Sequence, residues 1–200
     1  MLPLFLVKEQ DMNLKTLKTR VKSMGFEGDS TLQTYSTNFI SATNQALQEI
    51  SGIIPSIGKH QITQDGLSTG IVRYDMSALA SDFAEVESVV LDYNGESDDF
   101  SNYRIEQGKV IAVDVSIPGI FNVFYKKRIT DITTSTAETE VLPIEYKAEP
   151  MLPLLVSYYL WLDDNDEKAV YYYNQYEAER EKILGEQEPP KAKYRGGICL

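Results

Sequence analysis

Acidic side chains are concentrated between Leu160 and Glu177, where four carboxylates and one asparagine occupy residues 163 to 167. Oxygen ligands at alternate positions are typical of a calcium loop, and the EF-hand type also needs glycine at its sixth position and glutamate at its twelfth. Whether such a loop starts at Asp163 or at Asp164, neither requirement is met. The sequence therefore argues against a calcium loop, and a weak cation site is the alternative that remains.

A helix start explains the same carboxylates. Asp164 is followed three residues later by Glu167, which is the spacing of a reciprocal cap, and acidic side chains near a helix start also complement the helix dipole. We interpret the segment as the joint between two helices, with Asp164 and Glu167 as its capping residues.

Other residues with catalytic potential lack partners in the sequence. Asp98 and Asp99 are adjacent on a predicted solvated turn, His60 is the only histidine, and Cys199 lies near the C-terminus. No nucleophile elbow or phosphate-binding glycine motif is present. We predict no catalytic residue, no cofactor and no metal site. A hydrolase whose site assembles in space around His60 or the acidic joint is the least favoured alternative.

Two basic runs are candidates for partner contacts. The run YKKRIT is predicted either to end a sheet-edge strand, where lysine discourages edge pairing, or to contact an acidic neighbouring subunit or a phosphate backbone. A second run lies in the polar C-terminal segment, which is rich in proline and glycine. The candidate interface residues are Lys191, Lys193, Tyr194 and Arg195, followed by Lys126, Lys127 and Arg128.

Composition restricts the classes of partner. Nineteen basic and thirty acidic residues give a net charge of -11, which disfavours generic binding to nucleic acid or anionic membranes. A single cysteine excludes a disulfide framework within the chain. Neither the apolar start nor the apolar run from Met151 to Leu162 resembles a signal peptide or a membrane span. We expect a protein of the cytosol that does not interact with membranes.

The periodicity of apolar residues predicts an α+β fold. Helices are expected from Asn13 to about Gly25 and from about Ser30 to Gly52, and again after Pro150 and from about Asn165 to Leu184. Short runs rich in valine, isoleucine and tyrosine lie between the two pairs of helices. These runs predict an antiparallel β-sheet or a small β-sandwich inserted into a discontinuous helical domain. The predicted division is an N-terminal arm 1–12, a helical domain 13–52 and 148–185, a β insert 53–147 and an extended C-terminal arm 186–200.

Six tyrosines lie on the last two predicted helices, at positions 158, 159, 171, 172, 173 and 176. Each buried hydroxyl needs a hydrogen-bond partner, so six are too many for a dry core. We expect some of them to lie in a wet interface or a subunit contact.

This order of parts resembles the head-tail connector proteins of tailed bacteriophages, which are also called adaptor, head-completion or tail tubular gatekeeper proteins. The resemblance is carried by four segments: MNLKTLKTRVKSM, NFISATNQALQEIS, LDYNG and, above all, the block from Tyr146 to Ile183. In that block an apolar helix leads through an acidic turn to a helix rich in tyrosine and glutamate, as in the C-terminal hairpin of such proteins. The additional N-terminal segment MLPLFLVKEQD departs from the pattern.

The resemblance implies a structural protein of the virion and no catalytic residue. Connectors form a ring, usually a dodecamer, between the portal protein and the tail or stopper proteins, and DNA passes through the ring without specific binding. The chain would then be assembled in the host cytoplasm and located in the neck of the virion. A β module that binds carbohydrate or peptide on a helical scaffold is the alternative, and exposed aromatic residues such as Tyr103 or Tyr125 would be its sign.

Overall fold

A computed structural model describes residues 12–26 and 36–187. The helices are α1 Leu14–Ser23, α2 Ser36–Ile53, α3 Met76–Leu79, α4 Met151–Trp161 and α5 Asp166–Gln187, with a 3-10 turn at Tyr146–Ala148. The strands are β1 Ile57–Gln64, β2 Ile71–Asp75, β3 Phe83–Tyr93, β4 Glu96–Asp99, β5 Tyr103–Glu106, β6 Val110–Asp114 and β7 Gly119–Lys127. Helices therefore flank an inserted antiparallel β region, which confirms the predicted α+β fold.

The chain divides into two compact units. Within the described residues, the first contains those up to Ala46, Ile132–Leu142 and those from Tyr146 onward. The second contains Leu47–Asp131 and Pro143–Glu145, so the boundary between the units falls inside α2.

The apolar side chains of the first unit come largely from helices α4 and α1. Helix α4 is apolar nearly all round, and seven of its eleven residues are buried. Helix α1 buries Leu14, Leu17 and Val21 and is capped by Asn13, whose Oδ1 accepts a hydrogen bond of 2.8 Å from the Thr16 amide. The sequence predicted this cap, because asparagine directly before an apolar 3.6-residue period is a helix start. The predicted start of α2 near Ser30 lies outside the described residues.

The segment Thr133 to Glu140, which is polar enough to suggest a mobile loop, contacts the start of α1. The Lys15 amide donates a hydrogen bond of 2.9 Å to the Glu138 carbonyl, and Lys18 forms an ion pair of 2.8 Å with the Glu138 carboxylate. The loop therefore satisfies a backbone donor that every helix start leaves unpaired.

The second unit is a small β-sandwich. One sheet has the order β1-β7-β3-β4, the other has the order β2-β6-β5, and all pairs are antiparallel. Side chains from both sheets form one hydrophobic core. Its buried members include Ile62, Met76, Phe83, Val86, Val89, Ile111, Val113, Phe121, Val123 and Tyr125.

Two tight turns set the hairpins of the sandwich. Asn94 and Gly95 join β3 to β4, Gln107 and Gly108 join β5 to β6, and all four residues have positive φ. Two consecutive positive φ values are the signature of the turn whose twist matches antiparallel strands. The glycine of the segment EQGK, between two runs of alternating apolar residues, predicts the second hairpin, and the structure confirms it. The prediction for Asp98 and Asp99 was wrong, because they lie in the exposed strand β4 rather than on a solvated turn.

Candidate subunit interfaces

The joint between α4 and α5 is capped by Asn165, so the predicted cap at Asp164 with Glu167 is wrong. Asn165 Oδ1 accepts a hydrogen bond of 2.9 Å from the Lys168 amide, and α5 begins at Asp166. The backbone amides of Asp164 and Asn165 both donate to the Trp161 carbonyl, which closes the last turn of α4. Because that turn includes Asp164, the helix start moves one residue toward the C-terminus. Glu167 remains in the first turn of α5, where its charge complements the helix dipole.

The carbonyl of Met24, just after α1, is the point at which three helices are joined. It accepts a hydrogen bond of 2.6 Å from the Tyr172 hydroxyl and a longer one of 3.4 Å from Trp161 Nε1. Burial raises the pKa of Tyr172, and the neighbouring Tyr171 raises it further. This arrangement ties the hairpin of α4 and α5 to the end of α1.

The ring of Trp161 contacts both an aromatic ring and a cation. Its ring stacks on Phe26 with centroids 4.4 Å apart, and Lys168 Nζ lies 3.9 Å from its centroid. A cation over an indole face is attracted by the negative ring quadrupole. Sequence reasoning missed this cluster because its members are far apart in the chain.

The six tyrosines of the hairpin divide by exposure. Tyr176 is fully buried, Tyr158, Tyr159 and Tyr172 are half-buried, and Tyr171 and Tyr173 are 58% and 39% exposed. Tyr171 lies beside Val170, which is 57% exposed, and the next exposed residues along that face are uncharged. This uncharged face of α5, defined by Val170, Tyr171, Asn174 and Ala178, is a candidate for the wet interface or subunit contact expected of the tyrosines. Its role in a contact stays a prediction.

The basic run on β7 is already paired within the chain. Lys126 lies 2.9 Å from Glu85 and 3.6 Å from Glu87, and the first of these contacts, a hydrogen bond to Glu85, chiefly raises the pKa of Lys126. Lys127 lies 3.8 Å from Asp82. Strand β7 is the neighbour of both β1 and β3, so the interpretation of the run as the end of an edge strand is wrong.

Arg128 also contacts Asp82, but through its backbone and not through its side chain. Its amide donates to the Asp82 carbonyl at 2.6 Å, while its side chain is exposed. Of the three basic residues predicted on this run, Arg128 is therefore the one whose charge is most available to a partner. The candidate residues of the C-terminal arm, Lys191, Lys193, Tyr194 and Arg195, lie outside the described residues.

The two aromatic residues expected to be exposed on a carbohydrate-binding sheet, Tyr103 and Tyr125, are instead packed within the sandwich. Tyr125 is only 5% exposed and its hydroxyl donates to Asp82 at 2.8 Å, while Tyr103 is half-buried against Phe100. On the outer face of the first sheet, Asn122 accepts from Gln61 at 2.8 Å and donates to Asp92 at 2.6 Å. These polar groups satisfy one another, which leaves them little capacity for a ligand.

Residues considered for metal or acid-base chemistry are dispersed. Within residues 12–26 and 36–187, no three histidine, cysteine or acidic side chains are arranged to hold a metal ion. His60 lies half-buried on β1, opposite Val123 of β7. In the same ranges no helix has the length and apolar character needed to cross a bilayer.

Comparison with known proteins gives no family for this chain. No protein-family model matches the sequence, and no curated protein matches it.

Proposed function

We propose that the chain is a subunit of a head-tail connector of a tailed bacteriophage. Its copies form a ring, expected to be a dodecamer, that joins the portal protein to tail or stopper proteins in the neck of the virion. The ring is assembled in the host cytoplasm, and DNA passes through it without being bound at a specific site. The protein is a structural component and not an enzyme.

The organisation of the chain is the observation that carries this proposal. Segments from both ends of the chain contribute helices to one unit, and an antiparallel β-sandwich is inserted between them. That is the order of parts in the resemblance drawn from the sequence. The hairpin of α4 and α5, which carries the most specific part of that resemblance, is tied to α1 through Met24 and presents an uncharged face outward.

Charge supports a passage for DNA. The net charge of -11 disfavours adhesion of a polyanion to the wall of a channel. Four basic residues of the β insert, Arg73, Lys109, Lys126 and Lys127, lie in ion pairs. The C-terminal arm contains three further basic residues, which suit contact with the acidic surface of a neighbouring subunit. A heterologous contact of this kind closes into a ring when the rotation between copies allows it.

Removal of the C-terminal arm tests the proposed contact. We expect deletion of residues 186–200 to weaken assembly without changing the far-ultraviolet circular dichroism spectrum or the thermal midpoint. A full-length chain with Lys191, Lys193, Tyr194 and Arg195 changed to serine should behave as the deletion does. The matched control is Lys147→Ser, which removes an exposed positive charge elsewhere. Undiminished assembly of the deleted chain would show that the arm is not a subunit contact.

A further inference from the structure

The four-stranded sheet of the sandwich has two open edges. Strand β1 forms one edge and β4 the other, and in the described part of the chain neither pairs with a second neighbour. Strand β1 has eight residues, contains no proline and carries a single charged side chain, Lys59. A long, weakly charged edge with unpaired backbone donors and acceptors is a template for another strand.

The two edges carry complementary charges. Three of the other four strand cations of the sandwich, Arg73, Lys126 and Lys127, have an ion pair within 4.0 Å. Among the described residues Lys59 has no ion pair within that distance; its Nζ lies 5.7 Å from the centre of the Phe124 ring, and its charge contributes to lowering the pKa of Asp92. Strand β4 has the sequence ESDD, and all four residues are exposed. Glu96, Asp98 and Asp99 form no ion pair with any residue that the structure describes. A cation without an ion pair within 4.0 Å therefore lies on one edge of the described sheet, and carboxylates without an ion pair lie on the other.

Strand direction also permits the two edges to pair. The order β1-β7-β3-β4 is antiparallel throughout, so β1 and β4 run in opposite directions. When a second copy is placed beside the first with the same face outward, its β1 lies antiparallel to β4. Each added copy continues the alternation without a break.

We propose that β1 of one subunit pairs with β4 of the next, so that the four-stranded sheets join edge to edge around the assembly. This inference rests on the ring proposed above and adds a second contact between neighbouring subunits to that of the C-terminal arm. The partner is a second copy of the chain, because among the described sheet edges β4 is the one whose carboxylates have no ion pair, whereas Asp75 of β2 and Glu106 of β5 are paired with Lys109 and Arg73. A symmetric pairing of β1 with β1 would bring no carboxylate to Lys59.

The faces of the strands fix the register. Ser97 of β4 bonds to Asp92 on the outer face, and Asp99 shares that face because side chains alternate along a strand. On β1, Lys59 lies opposite Phe124 of β7 on the same outer face. The register that pairs Lys59 with Asp99 also pairs His60 with Asp98 on the inner face. Two residues of opposite charge that lie directly across an antiparallel pair of strands stabilise the pair, and two residues of like charge destabilise it.

Cysteine cross-linking tests this register in the full chain. In a Cys199→Ser background, Lys59→Cys is combined with Asp99→Cys, and the protein is oxidised at high concentration. Within one chain the two positions are three strand spacings apart, roughly 14 Å, which is too far for a disulfide. We therefore expect a ladder of multimers on a non-reducing gel. The control combines Lys59→Cys with Asp98→Cys, whose side chains lie on opposite faces and should not link.

Charge reversal gives a second test that needs no cysteine. Lys59→Glu and Asp99→Lys should each weaken assembly by about tenfold per contact, and the two together should restore it. Both side chains are exposed, so folding should be unchanged. Three results of the cross-linking experiment would each overturn the proposed pairing. They are the absence of a ladder, a ladder of equal extent in the control, and disulfide-linked dimers formed by Lys59→Cys without the second cysteine, which would indicate that β1 pairs with β1.

Native mass measurement of the Cys199→Ser parent separates the two proposals. Rings without the specific ladder would refute the sheet pairing and leave the connector function intact. A specific ladder that yields only open chains would support the pairing and refute the ring.

Discussion

Changing Tyr125 to phenylalanine should destabilise the β-sandwich by about 1 kcal/mol at neutral pH. The ring is 5% exposed and packs against Gly58 and Phe83, and phenylalanine keeps these contacts. The lost interaction is the hydrogen bond of 2.8 Å from the hydroxyl to Asp82. Because the Asp82 side chain is 42% exposed, water can replace the lost donor, which places the cost near 1 kcal/mol rather than higher.

Urea denaturation at pH 7 measures this change as a lower midpoint with the same slope. The matched control is Tyr103→Phe, because the Tyr103 hydroxyl has no hydrogen bond among the described residues. We expect the control to stay within about 0.5 kcal/mol of the parent. Equal stability of the Tyr125→Phe variant and the parent at pH 7 would refute the reasoning.

The same tyrosine predicts a dependence on alkaline pH. Burial, together with the hydrogen bond to Asp82, raises the pKa of Tyr125 from 10.0 to about 12. Below pH 10 the hydroxyl is protonated in both states, so its contribution is fully present. Between pH 10 and 12 the unfolded chain releases the proton and the folded chain retains it, so the free energy of unfolding falls as pH rises. The advantage of the parent over Tyr125→Phe should therefore shrink across this window, and a constant difference would contradict the assignment.

Two further predictions concern the hairpin of α4 and α5. Asn165→Ala should lower the free energy of unfolding by about 1 kcal/mol because it removes the cap, whereas Asp164→Ala should change it by less than about 0.5 kcal/mol; chemical denaturation of both variants decides which residue is the cap. Tyr172→Phe should cost about 1 kcal/mol because it removes the short hydrogen bond to the Met24 carbonyl, and exposed Tyr171→Phe should cost nothing measurable. Thermal unfolding followed by near-ultraviolet circular dichroism compares the two tyrosine variants. Equal midpoints would contradict the claim that the Met24 carbonyl joins the hairpin of α4 and α5 to α1.

Local patterns predicted most of the elements. An asparagine before an apolar period placed the start of α1, and a glycine between alternating runs placed the hairpin of β5 and β6. Strand β4 was missed because its four residues are polar and exposed, so alternation gives no signal. The Asn94 and Gly95 pair before it is the signal that could have revealed the strand, since it favours a tight hairpin.

The candidate interfaces could not be predicted from local sequence patterns, because they depend on the order of the strands in the sheet. For the run at Lys126 and Lys127 the sequence left two interpretations, the end of an edge strand and a contact with an acidic partner. Strand order places β7 inside the sheet, where these lysines pair with carboxylates of β3 and of the residue before it, so the first interpretation is wrong. Strand order is decided by packing between distant segments. The significance of Lys59 and Asp99 follows only from that order, because it places them on opposite edges.

The helix joint shows a limit of a different kind. Asp164 and Asn165 are adjacent, both residue types cap helices, and the glutamate three residues after Asp164 favoured it. The last turn of α4 determines which of the two residues is the cap, because the Asp164 amide donates a hydrogen bond to the Trp161 carbonyl and so belongs to that turn. A shift of one residue at a helix end is set by the preceding element.

The mass of the assembly tests the central claim most directly. Native mass measurement should be made on the full chain over a range of concentrations, alone and mixed with the portal protein that the proposed function requires. The account predicts a closed ring with one fixed number of subunits, expected to be twelve, that is weakened by deletion of residues 186–200. A chain that stays monomeric at every concentration, and that forms no ring with the portal protein, would contradict it.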